Sequence, residues 1–379
     1  MGGGGMRSVG VEEELLLVDA ASGEPLAVSA AVLAEANRCA RQESGGGGPQ
    51  AHAFEQELQK EQLEFATKPV TEMGELLAEI VRWRAEAARH AKAAGALVAA
   101  LGTSPLPVRP SLSAGKRYEW IAEQFGLTAQ EQLTGGCHVH VSVASDEEGV
   151  AVLDRIRPWL PVLTAMSANS PFWQGADTGY RSYRSRVWYR LPSAGPVDVF
   201  GSADRYHEQV RAMVDTGVLH DEGMIYFDAR LSATYPTVEI RVADVCLDAA
   251  TPVLLAALVR ALVETSARAW RAGEPPARID TALLRLAAFR AGRSGLDGPL
   301  LHPRTMRETS PSDAVLALCG HVREALADHG DQERVSAGVA TLLERGNGAR
   351  VQRALWEEHG DLAAVVLRCA DITTATPAP

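Results

Sequence analysis

Lysine is nearly missing from this chain: Lys60, Lys68, Lys92 and Lys116 are the only four in 379 residues, so arginine carries almost all the positive charge. Acidic side chains outnumber basic ones, 48 against 37, for a formal charge of −11. That balance excludes the basic surface that displaces counterions from phosphate backbones, and nucleic acid is not an expected partner. Cysteine is sparse, odd in number and scattered (Cys39, Cys137, Cys246, Cys319, Cys369). No pair stands at a metal-knuckle or redox spacing, which points to reduced thiols in a reducing compartment. No apolar run approaches the roughly 20 residues of a membrane span. The opening MGGGGMRS, with Met6 as a second candidate initiator, lacks the basic-then-apolar pattern of a signal peptide. The expectation is a cytoplasmic protein without a membrane partner. Also missing are the G-x-x-x-x-G-K-[ST] phosphate loop, a G-x-G-x-x-G after a strand, and the G-x-S-x-G nucleophile elbow, so the usual nucleotide folds and serine hydrolases lack support.

What is present is strands early and helices late. VGVEEELLLVD (9–19) reads as a buried strand carrying three carboxylates. A helical stretch at 29–39 runs into the glycine-rich ESGGGGPQ, read as a variable linker. FEQELQKEQLEFATKPV is ambiguous between helix and strand, and 72–101 reads as one long amphipathic helix. CHVHVSV (137–143) follows the pair Gly135–Gly136 as a second strand. A helix over about 150–168 leads into a loop dense in arginine and aromatic residues, and loops of that kind often carry function. Further strands are expected at 224–231 and 237–243, then helices from Pro252 onward. Without a βαβ rhythm, the expected class is α+β, an antiparallel sheet with flanking helices. The expected division is a catalytic core over 6–275 and a helical C-terminal region, 276–379, packed on it.

Strand alternation gives these motifs chemical meaning. Glu12 and Glu14 share one strand face while Glu13 points to the other. Two carboxylates roughly 6–7 Å apart on one buried face repel unless a hard cation such as Mg²⁺ offsets them. Solvated glutamates on an exposed edge strand are the bland alternative, and the flanking VGV and LLLV argue against it. His138, His140 and Ser142 likewise share a face opposite three valines. Glu239 and Arg241 share one opposite Val238, Ile240 and Val242. Three strands with one apolar and one ligand-bearing face imply a sheet that backs a polar, metal-holding cleft. Glu57, Glu61 and Glu64 are less readable. Glu57 and Glu64 fall together on a helix and apart on a strand, although Glu64, embedded in LEFAT, is poorly suited to exposure. Arg241 suits bidentate phosphate contact, or an ion pair with a neighbouring glutamate.

In order, VGVEEELLLVD, QLEFATKPV, LTGGCHVHVSV, RPWLPVLTAMSANSPFWQGADTGYRSYRSRVW and TVEIRVAD resemble the type 2 glutamate–cysteine ligase family over about residues 8–270. The resemblance implies a glutamine-synthetase-like catalytic fold. It also implies an ATP-dependent carboxylate–amine ligase, in which a phosphorylated carboxylate is attacked by an amine with release of ADP and phosphate. It makes Glu12, Glu14, Glu64, His138 and Glu239, with Glu57 a weaker candidate, ligands for two or more Mg²⁺ ions. Glu64 and Arg241 take catalytic roles, Arg241 holding the transferring phosphoryl group. Arg184 and Arg186 clamp the substrate carboxylate, beside Tyr183 and His140. Glutamate or a similar amino acid is the expected acid, cysteine or another amine the acceptor, and a homodimer the expected assembly. FRAGRSGLD, around Arg290 and Arg293, departs from the family pattern at Ala287 and Phe289. The competing reading from the residues alone is a zinc-dependent amide hydrolase built on His138 and His140, with Cys137 as a further ligand.

Overall fold

In the computed structural model, which describes residues 6–43 and 54–376, the centre is a seven-stranded antiparallel sheet. Its strands are β1 (Val9–Asp19), β2 (Phe54–Gln56), β3 (Gln62–Ala66), β4 (Ala96–Ala99), β5 (Gly136–Ser142), β6 (Ala229–Leu231) and β7 (Thr237–Asp244). They lie in the order β2-β3-β1-β5-β7-β6, with β4 pairing the far half of β1. The glycine-rich stretch lies, after Glu43, outside the described residues.

The two halves of β1 explain how one apolar strand carries acids. Val9 and Val11, then Leu15 and Leu17, face the same side and are buried beneath the helix Met73–Ala93, whose Leu76 and Ile80 cover the first pair and Ala87 and Ala91 the second. On the opposite side Leu16 and Val18 are covered by Val365, Val366 and Cys369 of the C-terminal helix Leu362–Thr374. Only Glu12 and Glu14, on that second side but short of the C-terminal cover, open onto a cleft. Glu13 faces the core and is fully buried, yet Arg84 meets both its oxygens at 2.8 Å. The same guanidinium donates to the carbonyls of Cys246 and Leu247. A buried carboxylate held this way is structural, because either partner alone would leave an uncompensated charge in the core.

Three expectations change. The long helix over 72–101 is instead the helix Met73–Ala93 followed by β4. Gly95, at φ +76°, takes the left-handed conformation that ends the helix, and Ala-Leu-Val-Ala then pairs with β1. The ambiguous 54–66 segment is a β-hairpin, so sequence period says nothing about whether Glu57 and Glu64 meet. A spanning-length apolar segment does exist, at Ala250–Arg271, but it is mostly buried inside the fold. It is a core helix, packed on the sheet and on Asp146–Ile156.

Candidate active site

Cross-strand register builds the site. Glu12 stands opposite His138 across β1 and β5, His140 opposite Glu239 across β5 and β7, and Glu14 opposite Glu64 across β1 and β3. Glu55 pairs with Glu64 from β2, so Glu57, just beyond that strand, reaches the same corner. The cleft, about 270 Å³, is lined by Glu12, Glu14, Glu57, Glu64, His138 and Arg241 from the anticipated set. Arg117, Tyr118, Gln132, Trp188, Tyr226 and Arg230 complete it from distant segments. Glu61, by contrast, is buried and accepts from the Ser111 N–H.

The acids divide into two groups. Carboxylate oxygens of Glu14, Glu57 and Glu64 come within 4.8 Å of one another. Burial and the neighbouring Glu57 charge push Glu14 up to about 7, against the pull of Arg184, the Gly136 N–H and Arg241. Glu64 is raised well above its ordinary value, first by burial and then by Glu57, Glu12 and Glu14. The second group joins Glu12, His140 and Glu239, also within 4.8 Å. His138 Nδ1 and His140 Nε2 each lie 3.2 Å from a Glu12 oxygen. Burial alone would raise Glu12, but these two hydrogen bonds hold it below the ordinary carboxylate range. Glu239 is likewise held low against burial, by Arg241 and Arg230. Arg230 Nε meets it at 2.7 Å and Arg241 pairs with its other oxygen. His138 bridges the groups, with Nε2 3.8 Å from Glu14. Burial, with Arg241 adding to it, lowers His138 to about 4 and keeps the ring neutral.

A β-bulge aims Arg241. Between the pairs Val139↔Ile240 and Cys137↔Ala243, two residues of β7, Arg241 and Val242, oppose the single His138. Such bulges re-aim side chains at sites. Gly136 is needed opposite: its N–H donates to Glu14 Oε2 at 2.7 Å, and a Cβ there would collide with the Arg184 guanidinium.

Of the expected loop residues, Tyr183, Arg184 and Arg186 do not line the cleft, whereas Trp188 of the same loop does. Arg184 is 1% exposed, buried on the His138 side of the sheet next to Gly136 and over the ring of Trp188. Arg186 lies over the rings of Tyr189 and Phe289, and Tyr183 packs on Trp173 and Tyr180. His140 is buried against Glu12 and Thr237 rather than lining the cleft. The zinc alternative loses its thiolate, because Cys137 faces the core on the other side of β5. Arg117, Arg230, Trp188 and Tyr226 had no local signature. Arg230 falls next to the end of the expected strand at 224–231, where alternation alone does not mark it as a cleft residue.

Comparison with known proteins agrees with this geometry. The profile described as glutamate–cysteine ligase family 2 matches residues 8–368. A Streptomyces avermitilis protein provisionally assigned as glutamate–cysteine ligase 2-1 is 62% identical over 364 residues, spanning 96% of this chain and 98% of that one. A Streptomyces coelicolor protein provisionally assigned as glutamate–cysteine ligase 2 is 61% identical, spanning 98% of this chain and all of that one. Among solved structures, glutamate–cysteine ligase from Francisella tularensis in complex with AMP superposes with TM-score 0.70 at 13% identity, covering 98% of this chain and 90% of that one. A bifunctional glutathione synthetase from Pasteurella multocida gives 0.66 at 16% identity, covering 97% of this chain and 51% of that one. These two share the fold, an antiparallel sheet with flanking helices of the glutamine-synthetase type. The chain therefore belongs to glutamate–cysteine ligase family 2 and is an ATP-dependent ligase that forms C–N bonds.

Proposed function

We propose that the protein joins the carboxylate of glutamate, or of a similar amino acid, to cysteine or another small amine. The route is an acyl phosphate, with release of ADP and phosphate. The observation that carries this reading is one cleft in which buried acids converge opposite three arginines, Arg117, Arg230 and Arg241. The chemistry of the Glu14, Glu57 and Glu64 cluster suits Mg²⁺. Three carboxylates with oxygens within 4.8 Å, two of them with raised pKa, repel one another in the absence of a hard cation. Glu12, His140 and Glu239 form the second candidate site, of which Glu239 is the weaker member because two arginines already engage it. His138 Nε2, 3.8 Å from Glu14, is buried without a hydrogen-bond partner among the described residues, which supports His138 as a ligand beside the first cluster.

When bound, Mg²⁺ supplies charge neutralisation for the triphosphate. The chain supplies the remainder. Arg241, seated over Trp188, holds the oxygens of the moving phosphoryl group. In this reading Arg117 and Arg230, which line the cleft, meet the acid substrate in place of Arg184 and Arg186. The amine then attacks the activated carbonyl and phosphate departs, with no covalent step on a side chain. The buried walls limit hydrolysis of the acyl phosphate. A cytoplasmic setting accords with the five free cysteines, and a homodimer is the assembly we expect. A screen of amines for ADP release, with glutamate present and then omitted, tests the reading. ADP formation that depends on both substrates supports it; release of AMP and pyrophosphate contradicts it.

A further inference from the structure

We propose that Arg184 is a positioning residue, acting on the reaction through Arg241 and not by touching the substrate; this rests on the phosphoryl-binding role assigned to Arg241 above. In an antiparallel pair the extra residue of a bulge leaves a backbone group without its ladder partner. Here the Arg241 carbonyl at the bulge faces Arg184, whose Nη1 and Nη2 lie 3.5 and 3.4 Å away. The guanidinium fills the space that a Cβ on Gly136 would occupy, next to His138 Nε2. It is 1% exposed and is not among the residues that line the cleft. Its charge also faces three buried acids, Glu14, Asp228 and Asp244, and offsets part of the cost of burying each.

The arginine is itself anchored. Its N–H donates to Ser170 Oγ at 2.9 Å. Ser170 Oγ and Ser182 Oγ each donate to Asp244 at 2.7 Å, and the Asn169 N–H to the same carboxylate at 2.8 Å. Asp244 is fully buried at the end of β7, three residues beyond Arg241. The loop and the bulge are thus fastened to one strand end, and Arg184 closes the circuit.

The test is a double-mutant cycle between Arg184→Lys or Arg184→Met and Arg241→Lys, with folding checked by circular dichroism and thermal midpoint. Arg184→Met is expected to lower kcat by about 30-fold with the acid KM within about twofold of wild type, and Arg184→Lys to recover part of that loss. In the Arg241→Lys background the Arg184→Met loss should shrink by about tenfold, the signature of residues that act together. A large rise in acid KM at unchanged kcat would make Arg184 a direct clamp and overturn the proposal. Losses that multiply independently would reduce it to a structural residue. If the wild type turns over no acid–amine pair, the ligase reading fails first. The same cycle is then read on the calorimetric Kd for Mg-ADP, where absence of coupling still overturns the Arg184 proposal.

Discussion

Three consecutive glutamates in β1 carry three different burdens, and the pleat decides which. Glu13 is a structural anion against Arg84, so Glu13→Gln should cost about 3–5 kcal/mol in chemical denaturation, because it strands a buried guanidinium. Glu14 faces Glu57 and Glu64, where charge is a burden to the metal-free fold. Glu64→Gln should therefore leave the metal-free protein as stable as wild type or more so, while lowering kcat by at least about 100-fold. Thermal melting without divalent ions and steady-state kinetics with them check the two halves. A variant that melts lower and still turns over would refute the assignment. Alternation made Glu12, Glu14, His138 and Glu239 readable from the chain, because side-chain direction in a strand follows from parity alone. Arg117 and Arg230 were not readable, since a surface arginine and a cleft arginine look the same until distant segments are folded together.

The strands and turns set how finely the site is held. Glu57 and Glu64 meet only because β2 and β3 form a hairpin that brings Glu55 opposite Glu64, a pairing that periodicity within either segment cannot show. The bulge in β7 was equally hidden. It arises from pairing with β5, and the alternation of TVEIRVAD passes through it unchanged. Gly135–Gly136 was visible as a pair, but its reason, room for the Arg184 guanidinium, was not. Gly136→Ala should destabilise the fold by about 1–3 kcal/mol, as overpacking does in a filled interior, and reduce kcat further than the same loss of stability elsewhere. A Gly136→Ala protein with wild-type turnover would show that the contact between β5 and Arg184 does not matter to the site.

At the scale of the whole molecule, the acid-rich cleft ties stability to pH and to cations. Glu14 at about 7 and Glu64, raised well above its ordinary value, hold protons in the folded state that the unfolded chain has released. Their contribution is complete below the ordinary carboxylate pKa and is lost as pH rises through the folded value. Glu12 and Glu239, held low by histidine and arginine partners, carry the opposite sign and lose their contribution only in strong acid. The metal-free Tm should fall from about pH 5 to about pH 8, and the Tm gain on adding Mg²⁺ should grow over the same interval. A gain that does not vary with pH would place any bound ion away from Glu14 and Glu64. The fold class was legible in the order of strands and helices. The cover that the C-terminal helix places over Leu16 and Val18 was not, because it joins segments some 350 residues apart.

The central claim is that the acid is activated as an acyl phosphate. It is tested most directly by turnover of glutamate labelled with ¹⁸O in its side-chain carboxylate, with cysteine, or the best amine from the screen, as acceptor and ³¹P NMR of the products. The account predicts one ¹⁸O atom delivered to inorganic phosphate for each amide formed, and none in the nucleotide. Label recovered in AMP, or amide formed with unlabelled phosphate, would contradict it.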